Sequence, residues 1–416
     1  MKFAPKPENE FYEFIRTYYR ECRGRFPKIE AIAGKWMYRD LVPGMSDFDA
    51  RFIVADGMSD NDWNQMSNLV GQVHLDLCRQ HPCWSRFLEH LPGINLTWSE
   101  LVSEKSYYPE FKQWTFYDTA KPDMVSEAQT HFADREWDIK DEYFHLKRFC
   151  TYYGRYNRTI DPEINLRVHK NKYPMHSRIM HYFSPPVHSA VCLIDRKNMP
   201  GKMNAFELAR DYFPDLRCWD LVDEILNKNY EVPKWYAEPY LSELEDALED
   251  ALGVIAARLR EETALLPKEA GVDNITALKG ALRQIPINQA QLIFESCRFS
   301  RLMKGRLYFY LHAPPYFDAS KLIQIELGRI GNSFFKFPFQ NYWKIRTGED
   351  VTDPVIILDQ LRGDPLTEVE FTATKEFYRL SISDWHGNEK PVAEQIVVVY
   401  DDFYKALSKI TASLAG

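Results

Sequence analysis

Residues 32–55 read IAGKWMYRDLVPGMSDFDARFIVA, which predicts a strand end and turn, a connection of eleven residues after Lys35, and a second strand preceded by two carboxylates. Successive side chains of a strand point to opposite faces, so Asp47 and Asp49 are expected on one side and Phe48 in the sheet. The apolar residues that follow place the acids at the solvent edge of the strand. Paired carboxylates at such an edge suit Mg²⁺, which takes oxygen ligands and keeps room for waters and phosphates.

This pattern resembles the signature of the nucleotidyltransferase superfamily. The superfamily has an apolar-Gly-Gly/Ser strand end, followed about nine to thirteen residues later by Asp-x-Asp/Glu, and residues 44–49, GMSDFD, are similar to its usual GxSDxD form. Alone, Asp-Phe-Asp could simply close a loop before a core strand. The strand end at Ala33-Gly34-Lys35, at the matching spacing, favours the nucleotidyltransferase interpretation.

Three further segments are similar to the aminoglycoside adenylyltransferases that modify streptomycin and spectinomycin. Residues 94–101 (INLTWSEL), 107–118 (YYPEFKQWTFYD) and 200–214 (PGKMNAFELARDYFP) follow that family's order and spacing. With the acidic motif they span roughly residues 28 to 260. The resemblance implies a mixed α/β sheet with flanking helices, Mg²⁺ and ATP as cofactor and co-substrate, and a small acceptor molecule.

The resemblance also implies roles for individual residues. Mg²⁺ would bind Asp47 and Asp49, and the nucleotide phosphates would contact a second set, namely Gly34, Lys35, Ser46 and Lys202. A lysine can hold a phosphate as a flexible point charge. For Lys202 the alternative is a lysine at a helix start that simply faces solvent.

Two positions depart from the family pattern. Lys35 replaces the family's phosphate-binding serine, and Asn95 stands where the family has a third carboxylate that activates the acceptor hydroxyl. An amide cannot take that proton at neutral pH. Glu100 or Asp118 could serve as the base, with Glu100 our candidate; otherwise the base is dispensable or the protein does not catalyse transfer.

Composition narrows the class of protein. The chain has 416 residues, 45% of them apolar, and a formal net charge of −8, which argues against a general nucleic-acid binder. Seven scattered cysteines without a Cys-x-x-Cys predict reduced, buried thiols rather than disulfides or a zinc site. No apolar run is long enough for a membrane span, and the first residues lack the apolar core of a signal peptide, so a soluble cytoplasmic protein is expected.

The sequence predicts three parts. Residues 1–140 form the nucleotidyltransferase-like α+β domain, with helices over residues 8–24 and 60–79; residues 141–265 form a helical domain that closes the nucleotide cleft. After a linker at 265–274, residues 275–416 form an α+β extension of unknown role. Its strands are predicted at 354–358, 368–374 and 395–400, with a final helix at 401–414.

One basic segment is compatible with binding of a nucleic acid. Between His145 and His181 eight basic residues outnumber two acids and alternate with tyrosines, as in grooves that grip a nucleotide or an RNA strand. Its histidines lack the i, i+4 spacing of a helical His-His zinc pair, which favours structural histidines.

From the motifs and the resemblance we predict transfer of AMP from ATP to a hydroxyl of a small polar acceptor. The alternatives are a noncatalytic module that binds a nucleotide or protein and, more weakly, an RNA-directed nucleotidyltransferase.

Overall fold

A computed structural model describes most of the chain, in the ranges 10–41, 46–84, 87–156, 174–231, 241–263, 289–315 and 317–415. Several sequence predictions fall outside these ranges. They are Gly44 and Met45 of the acidic motif, the linker at 265–274, and the basic residues between 157 and 173.

The described elements alternate between strands and helices as far as residue 133 and are helical thereafter. The strands are β1 Ile29–Gly34, β2 Ala50–Val54, β3 Leu96–Thr97 and β4 Thr115–Thr119. The first helices are α1 Glu10–Arg25, α2 Asp60–Gln80, α3 Trp98–Val102, α4 Pro122–Ala133 and α5 Ile139–Tyr156. The central helices are α6 Pro174–Ser177, which continues through a π-helical turn at Arg178–Phe183 into α7 Ser184–Asp195, then α8 Lys202–Tyr212, α9 Cys218–Glu231 and α10 Ser242–Glu262. The last helices are α11 Gln289–Ser300, α12 Met303–His312, α13 Ala319–Arg329, α14 Phe337–Thr347, α15 Pro354–Leu361, α16 Glu368–Ser381 and α17 Glu389–Ala415.

The four strands form one mixed sheet in the order β3-β2-β1-β4. β1 runs antiparallel to β2 and β4, with Gly34 opposite Ala50, and β2 runs parallel to β3. Both faces are covered: Ile32 and Phe52 pack in the core with α1 and α2, whereas Ala33 and Ile53 belong to the core on the other face. This alternation is the two-residue period of a strand, and the prediction of an α+β fold with a mixed sheet is confirmed.

Helix α2 illustrates how the sequence sets an element boundary. Ser59 caps the helix by accepting a hydrogen bond from the Asp62 backbone, and the Asp62 carboxylate accepts one from the Ser59 backbone in return. This reciprocal cap satisfies backbone donors that the first helical turn leaves free. The predicted helix at 60–79 is confirmed almost to the residue.

The central helices have a core of their own, formed by buried side chains between Leu146 and Leu259. In α10, leucines at intervals of four from Leu244 to Leu252 are buried together with Ile255 and Leu259, as the apolar stripe predicts. The prediction of helix across 187–262 is confirmed for the described residues, most of which belong to helices α7 to α10.

The prediction of strands in the last part of the chain is wrong. The segments at 354–358, 368–374 and 395–400 belong to helices α15, α16 and α17, so the described residues after 288 contain helices and no strand. The β-branched run in α17 explains the error: Ile396 and Tyr400 are buried one turn apart, while Val398 between them is 81% exposed. Burial follows the helical period, which short apolar runs do not distinguish from a strand.

The C-terminal helices pack against the first part of the chain. Buried residues of α12 and α17 share one core with α1, α2 and the α2-facing side of the sheet. Helices α2 and α12 cross closely, where the Gly305 N–H donates to Ser67 Oγ at 2.9 Å. The extension therefore packs on α2, which covers one face of the sheet.

Candidate functional site

The two motif carboxylates converge at the start of β2. Oxygen atoms of Asp47 and Asp49 lie with a His90 ring nitrogen in a group whose members are all within 4.8 Å of one another. His90 Nε2 is 3.2 Å from Asp49 Oδ1 and 3.8 Å from Asp47 Oδ2. Phe48 points the opposite way, with its ring centroid 5.5 Å from that of Phe14. The alternation expected from the sequence is present.

His90 supplies positive charge to this acidic pair. Burial disfavours the imidazolium, but hydrogen bonds to Asp47 and Asp49 outweigh burial and raise the pKa of His90 to about 9. For Asp49, burial and the Asp47 charge oppose ionisation, yet the hydrogen bond and charge of His90 lower its pKa to about 2. His90 and Asp49 therefore form an ion pair at neutral pH, next to Asp47.

The donor set fits a Mg²⁺ ion at the carboxylates. Two carboxylate oxygens are a usual protein share of a Mg²⁺ shell, which waters and substrate phosphates complete. His90 competes for the same oxygens, so binding of the ion requires His90 to release its proton or to turn away. Its nitrogen is a poor Mg²⁺ ligand and a better one for softer divalent ions.

A cavity of about 380 Å³ opens beside Asp49. Its walls come from the end of β1, the start of β2, the segment before β4, and helices α5 and α11. Basic side chains outnumber acidic ones among its charged lining residues. The basic residues are Lys35, Arg51, Lys140, Lys147 and Arg148, and the acidic residues are Asp49, Glu110 and Glu295. A mostly basic cavity beside a carboxylate pair is suited to a polyanion with a bound divalent cation.

Lys35 lies at the centre of a buried ion-pair network. Its Nζ is 3.5 Å from Glu110 Oε2, and Arg51 Nη2 is 3.2 Å from Glu110 Oε1. Burial and the Arg148 charge lower the pKa of Lys35 to about 7, although Glu110 opposes the shift. Burial also works against the Glu110 charge, but Lys35 and Arg51 hold the pKa of Glu110 at about 2. An anion entering the cavity would meet a lysine whose charge is sensitive to pH near neutrality.

Three cations surround the ring of Trp36, which lines the cavity. Lys202 Nζ lies 4.3 Å from the ring centroid, Lys35 Nζ 5.4 Å and the Arg148 guanidinium carbon 5.5 Å. Lys202 is buried at the start of α8 and donates to the Met180 carbonyl at 3.1 Å. Lys202 is therefore not a solvent-facing lysine, and it lies next to Trp36 rather than in the cavity lining.

The remaining predicted residues divide between the site and the scaffold. Gly34 pairs with Ala50 at the end of β1, and Ser46 is buried next to Asp47. Glu100 caps α3 and forms a two-point ion pair with Arg301, both contacts at 2.6 Å. Neither Glu100 nor Asp118 is among the residues that line the cavity.

Asn95, at the position where the resemblance predicts a third carboxylate, holds two backbone segments together. Its Oδ1 accepts from the Phe52 backbone at 3.0 Å, and its Nδ2 donates to the carbonyls of Pro92 and Gly93. The Asn95 side chain is fully buried. Asn95 therefore ties the loop before β3 to strand β2.

Sequence reasoning missed His90, Glu110 and Glu295. Glu110 falls inside the segment that resembles the drug-modifying enzymes, but no spacing rule singles it out. Glu295 lies on α11, beyond the reach of the resemblance, and burial raises its pKa to about 7 despite the nearby Lys147 charge. These residues are brought together by tertiary packing, which periodicity does not encode.

Comparison of the chain with models of protein families, with curated proteins and with solved structures finds no match. Among the described helices, none has the length and apolar character needed to cross a membrane.

Proposed function

We propose that this protein is a Mg²⁺-dependent nucleotidyltransferase that moves AMP from ATP to a hydroxyl of a small polar acceptor. The observation that carries the proposal is the convergence of Asp47 and Asp49 at the edge of a mixed sheet, beside a cavity lined mainly by basic side chains. The strand arrangement supports it, because the acids precede a strand that pairs antiparallel with β1, and β1 ends in the glycine turn of the motif.

The basic side chains would bind the triphosphate. Lys35 and Arg148 contribute charge from two walls of the cavity, and Arg51 adds a third charge next to Asp49. Arg148 lies on α5, so the helical domain would contribute directly to phosphate binding. Mg²⁺, when bound to Asp47 and Asp49, would neutralise charge on the phosphates.

Glu295 is the side chain best suited to accept the acceptor's proton. The hydroxyl oxygen attacks the α-phosphorus, a new P–O bond forms, and the bond to the β-phosphate breaks so that pyrophosphate leaves. The hydroxyl proton passes to the Glu295 carboxylate. A base with a pKa near the working pH is effective, whereas Glu110, held at a pKa of about 2 by two cations, is too weak.

The cavity supports a small acceptor rather than a polymer. Its volume of about 380 Å³ lies at the lower end of the range for small-molecule sites. Aromatic rings from Trp36, Tyr143 and Phe144 line it beside the charged groups, an arrangement suited to a base or sugar ring. The C-terminal extension would contribute Gln291 and Glu295 on the acceptor side.

One observation favours a second candidate, a protein that binds a nucleotide without transferring it. Asn95 accepts one hydrogen bond from β2 and donates two within the loop before β3, so this position serves the scaffold and contributes no base. The two candidates share the nucleotide site and differ at Glu295.

The test is calorimetric titration with ATP, GTP, CTP and UTP, each with and without Mg²⁺. The proposal expects Mg²⁺-dependent binding of one nucleotide, lost in the Asp47→Asn/Asp49→Asn variant and kept in an Asp211→Asn/Asp215→Asn control, whose acids are exposed. Unchanged Mg²⁺-ATP affinity in the first variant would overturn the metal site. Pyrophosphate release with pooled hydroxyl acceptors then separates transfer from binding alone.

A further inference from the structure

A second group of metal-ligand side chains lies in the helical part of the chain, apart from the acidic pair. His145 on α5 and His188 and Cys192 on α7 each offer a ligand atom, and the three atoms are within 4.8 Å of one another. His188 and Cys192 stand at i and i+4, so they share one face of α7. All three residues are fully buried.

The hydrogen bonds of the histidines leave one ring nitrogen of each for a ligand. His188 Nε2 lies 2.8 Å from the Met199 carbonyl, which can only accept, so Nε2 carries the proton. His145 Nε2 lies 2.8 Å from Asn198 Oδ1, and the Asn198 amide is oriented by donating to Asp141 Oδ1 at 2.7 Å. The Gln113 amide nitrogen is farther from His145 Nε2, at 3.2 Å, and donates to Asn198 Oδ1 at 3.0 Å, so the shorter contact with the Asn198 oxygen places the proton on His145 Nε2. Neither Nδ1 atom has a hydrogen-bond partner among the described residues.

These contacts are the outer partners that metal-bound histidines use. A ligating imidazole usually donates its other N–H to a carbonyl or to a group linked to a carboxylate, which fixes the ring and its tautomer. Here Met199 serves His188, and Asn198 backed by Asp141 serves His145. Two buried nitrogen lone pairs that no donor satisfies would otherwise cost free energy.

The surroundings favour the neutral, metal-binding form of both imidazoles, whereas Cys192 has to lose its thiol proton when a metal binds. Burial, together with Arg148 and Lys35, lowers the pKa of both imidazoles, that of His145 to about 3. Burial raises the pKa of Cys192 to about 12, while a Met199 backbone hydrogen bond and the same two cations favour its thiolate. Arg148 and Lys35 repel a bare divalent cation. Coordination by the Cys192 thiolate is therefore required, because it lowers the net charge of the metal centre to +1.

We propose that His145, His188 and Cys192 form a buried transition-metal site of the zinc class. Two imidazoles and one thiolate are a borderline-soft set that excludes Mg²⁺ and Ca²⁺ and suits Zn²⁺ or Co²⁺, with a water or small anion as fourth ligand. Ligand atoms around tetrahedral zinc are about 3.5 Å apart, so closure on the ion takes side-chain shifts of about 1 Å.

The site would connect α5 to α7 behind the wall of the cavity. His188 packs edge-on against Trp36 at 5.9 Å between ring centroids, and His145 packs against Phe144 at 4.9 Å. Both aromatic rings line the cavity. The ion would therefore fix the wall that presents Arg148, but the inference does not depend on what the cavity binds.

The test uses the full chain, stripped of metal by chelation and titrated with Co²⁺ as a spectroscopic probe. We expect about one Co²⁺ per chain that gives a thiolate-to-cobalt charge-transfer band, displaced by Zn²⁺. Cys192→Ser should abolish the band, and His188→Gln should weaken Co²⁺ affinity by at least about 100-fold. Asn198→Ala, which removes only an outer partner, should weaken it by about 10- to 100-fold.

Matched controls separate this site from the rest of the molecule. Cys218→Ser replaces another fully buried cysteine of the same helical core and should keep the band. Asp47→Asn/Asp49→Asn removes the acidic site and should also keep it. Wild-type protein that gives no thiolate band overturns the proposal without any variant, and so does a band that survives Cys192→Ser in a protein with wild-type circular dichroism.

Discussion

The side-chain oxygen of Asn95 accepts a hydrogen bond from the backbone N–H of Phe52 at 3.0 Å, which joins the loop before β3 to the middle of β2. The Asn95 amide nitrogen faces two carbonyls, one of them the Gly93 carbonyl at 2.6 Å. Asn95→Asp, which places the family's carboxylate at this position, would set a buried charge against those carbonyls. We expect a loss of roughly 3 kcal/mol in the free energy of unfolding and no gain in transfer activity.

Urea denaturation of the Asn95→Asp variant measures this loss. Asn388→Asp, at an exposed turn, is the matched control and should change the free energy of unfolding by less than about 0.5 kcal/mol. A stable Asn95→Asp protein with faster transfer would show instead that the position is catalytic.

We expect the Glu100–Arg301 ion pair to make the free energy of unfolding depend on pH in the acid range. Burial disfavours the Glu100 charge, but Arg301 outweighs it and lowers the pKa of Glu100 from 4.5 to about 2. A depressed pKa in the folded state stabilises the protein above pH 4.5, and this stabilisation is lost as pH falls towards 2. Glu100→Gln should cost roughly 3 kcal/mol at pH 7 and flatten the decline in the free energy of unfolding across that window.

The matched control for this pair is Glu376→Gln, which breaks an ion pair with Arg379 at an exposed site. Its cost should stay below about 1 kcal/mol, because exposed pairs contribute little. Equal costs for the two variants would contradict a structural role for the buried pair.

Because Lys35 is expected to contact the phosphates, its protonation should make nucleotide affinity depend on pH. With a pKa of about 7, Lys35 is half charged near neutrality, and a bound phosphate would raise that pKa, so binding should take up a proton. Affinity for Mg²⁺-ATP should therefore fall as pH rises from 6 to 8. Glu295, whose pKa is also about 7, lines the same cavity, so the share of the change that belongs to Lys35 is obtained by comparing wild type with a Lys35→Met variant.

Calorimetry in buffers of different ionisation enthalpy measures the proton uptake directly. Lys35→Met should remove the lysine component and leave the titration of the nucleotide and of Glu295. If wild type and Lys35→Met show the same slope of affinity against pH, Lys35 does not bind the phosphates.

If Glu295 is the general base, its ionisation should set the ascending limb of the transfer rate plotted against pH. A base must be deprotonated to act, so the rate should rise through about pH 7, the pKa of the buried carboxyl, and then level off. Glu295→Gln should lower kcat by about 10²- to 10⁴-fold while Mg²⁺-ATP affinity stays unchanged. Glu394→Gln, exposed on α17, should leave both unchanged. A Glu295→Gln enzyme that keeps the ascending limb would exclude Glu295 as the base.

Local sequence signals predicted the elements near the acidic pair, because each depends on neighbours in the chain. The Ser59 cap and the alternation around Phe48 are examples. Pairings between distant segments were not predictable in this way: Glu295 and Lys35 line one cavity although 260 residues separate them, and His145 lies near His188 because α5 packs against α7. The i, i+4 spacing of His188 and Cys192 is present in the sequence, but a pattern of paired histidines does not include it.

The crossing of α2 and α12 depends on two glycines. A Cβ on Gly305 would lie 2.1 Å from the Ser67 carbonyl oxygen, and one on Gly71 would lie 2.8 Å from the Gly305 carbonyl oxygen. Because both clashes are with backbone atoms, the helices would have to separate. Gly305→Ala should lower the free energy of unfolding by about 2 to 4 kcal/mol, despite the better helix propensity of alanine. Gly328→Ala on α13, where a Cβ meets nothing within 4 Å, should instead stabilise the protein by about 0.5 to 1 kcal/mol. Thermal and urea unfolding of the two variants measure the contrast, and a neutral Gly305→Ala variant would mean that the C-terminal helices do not dock against α2 as described.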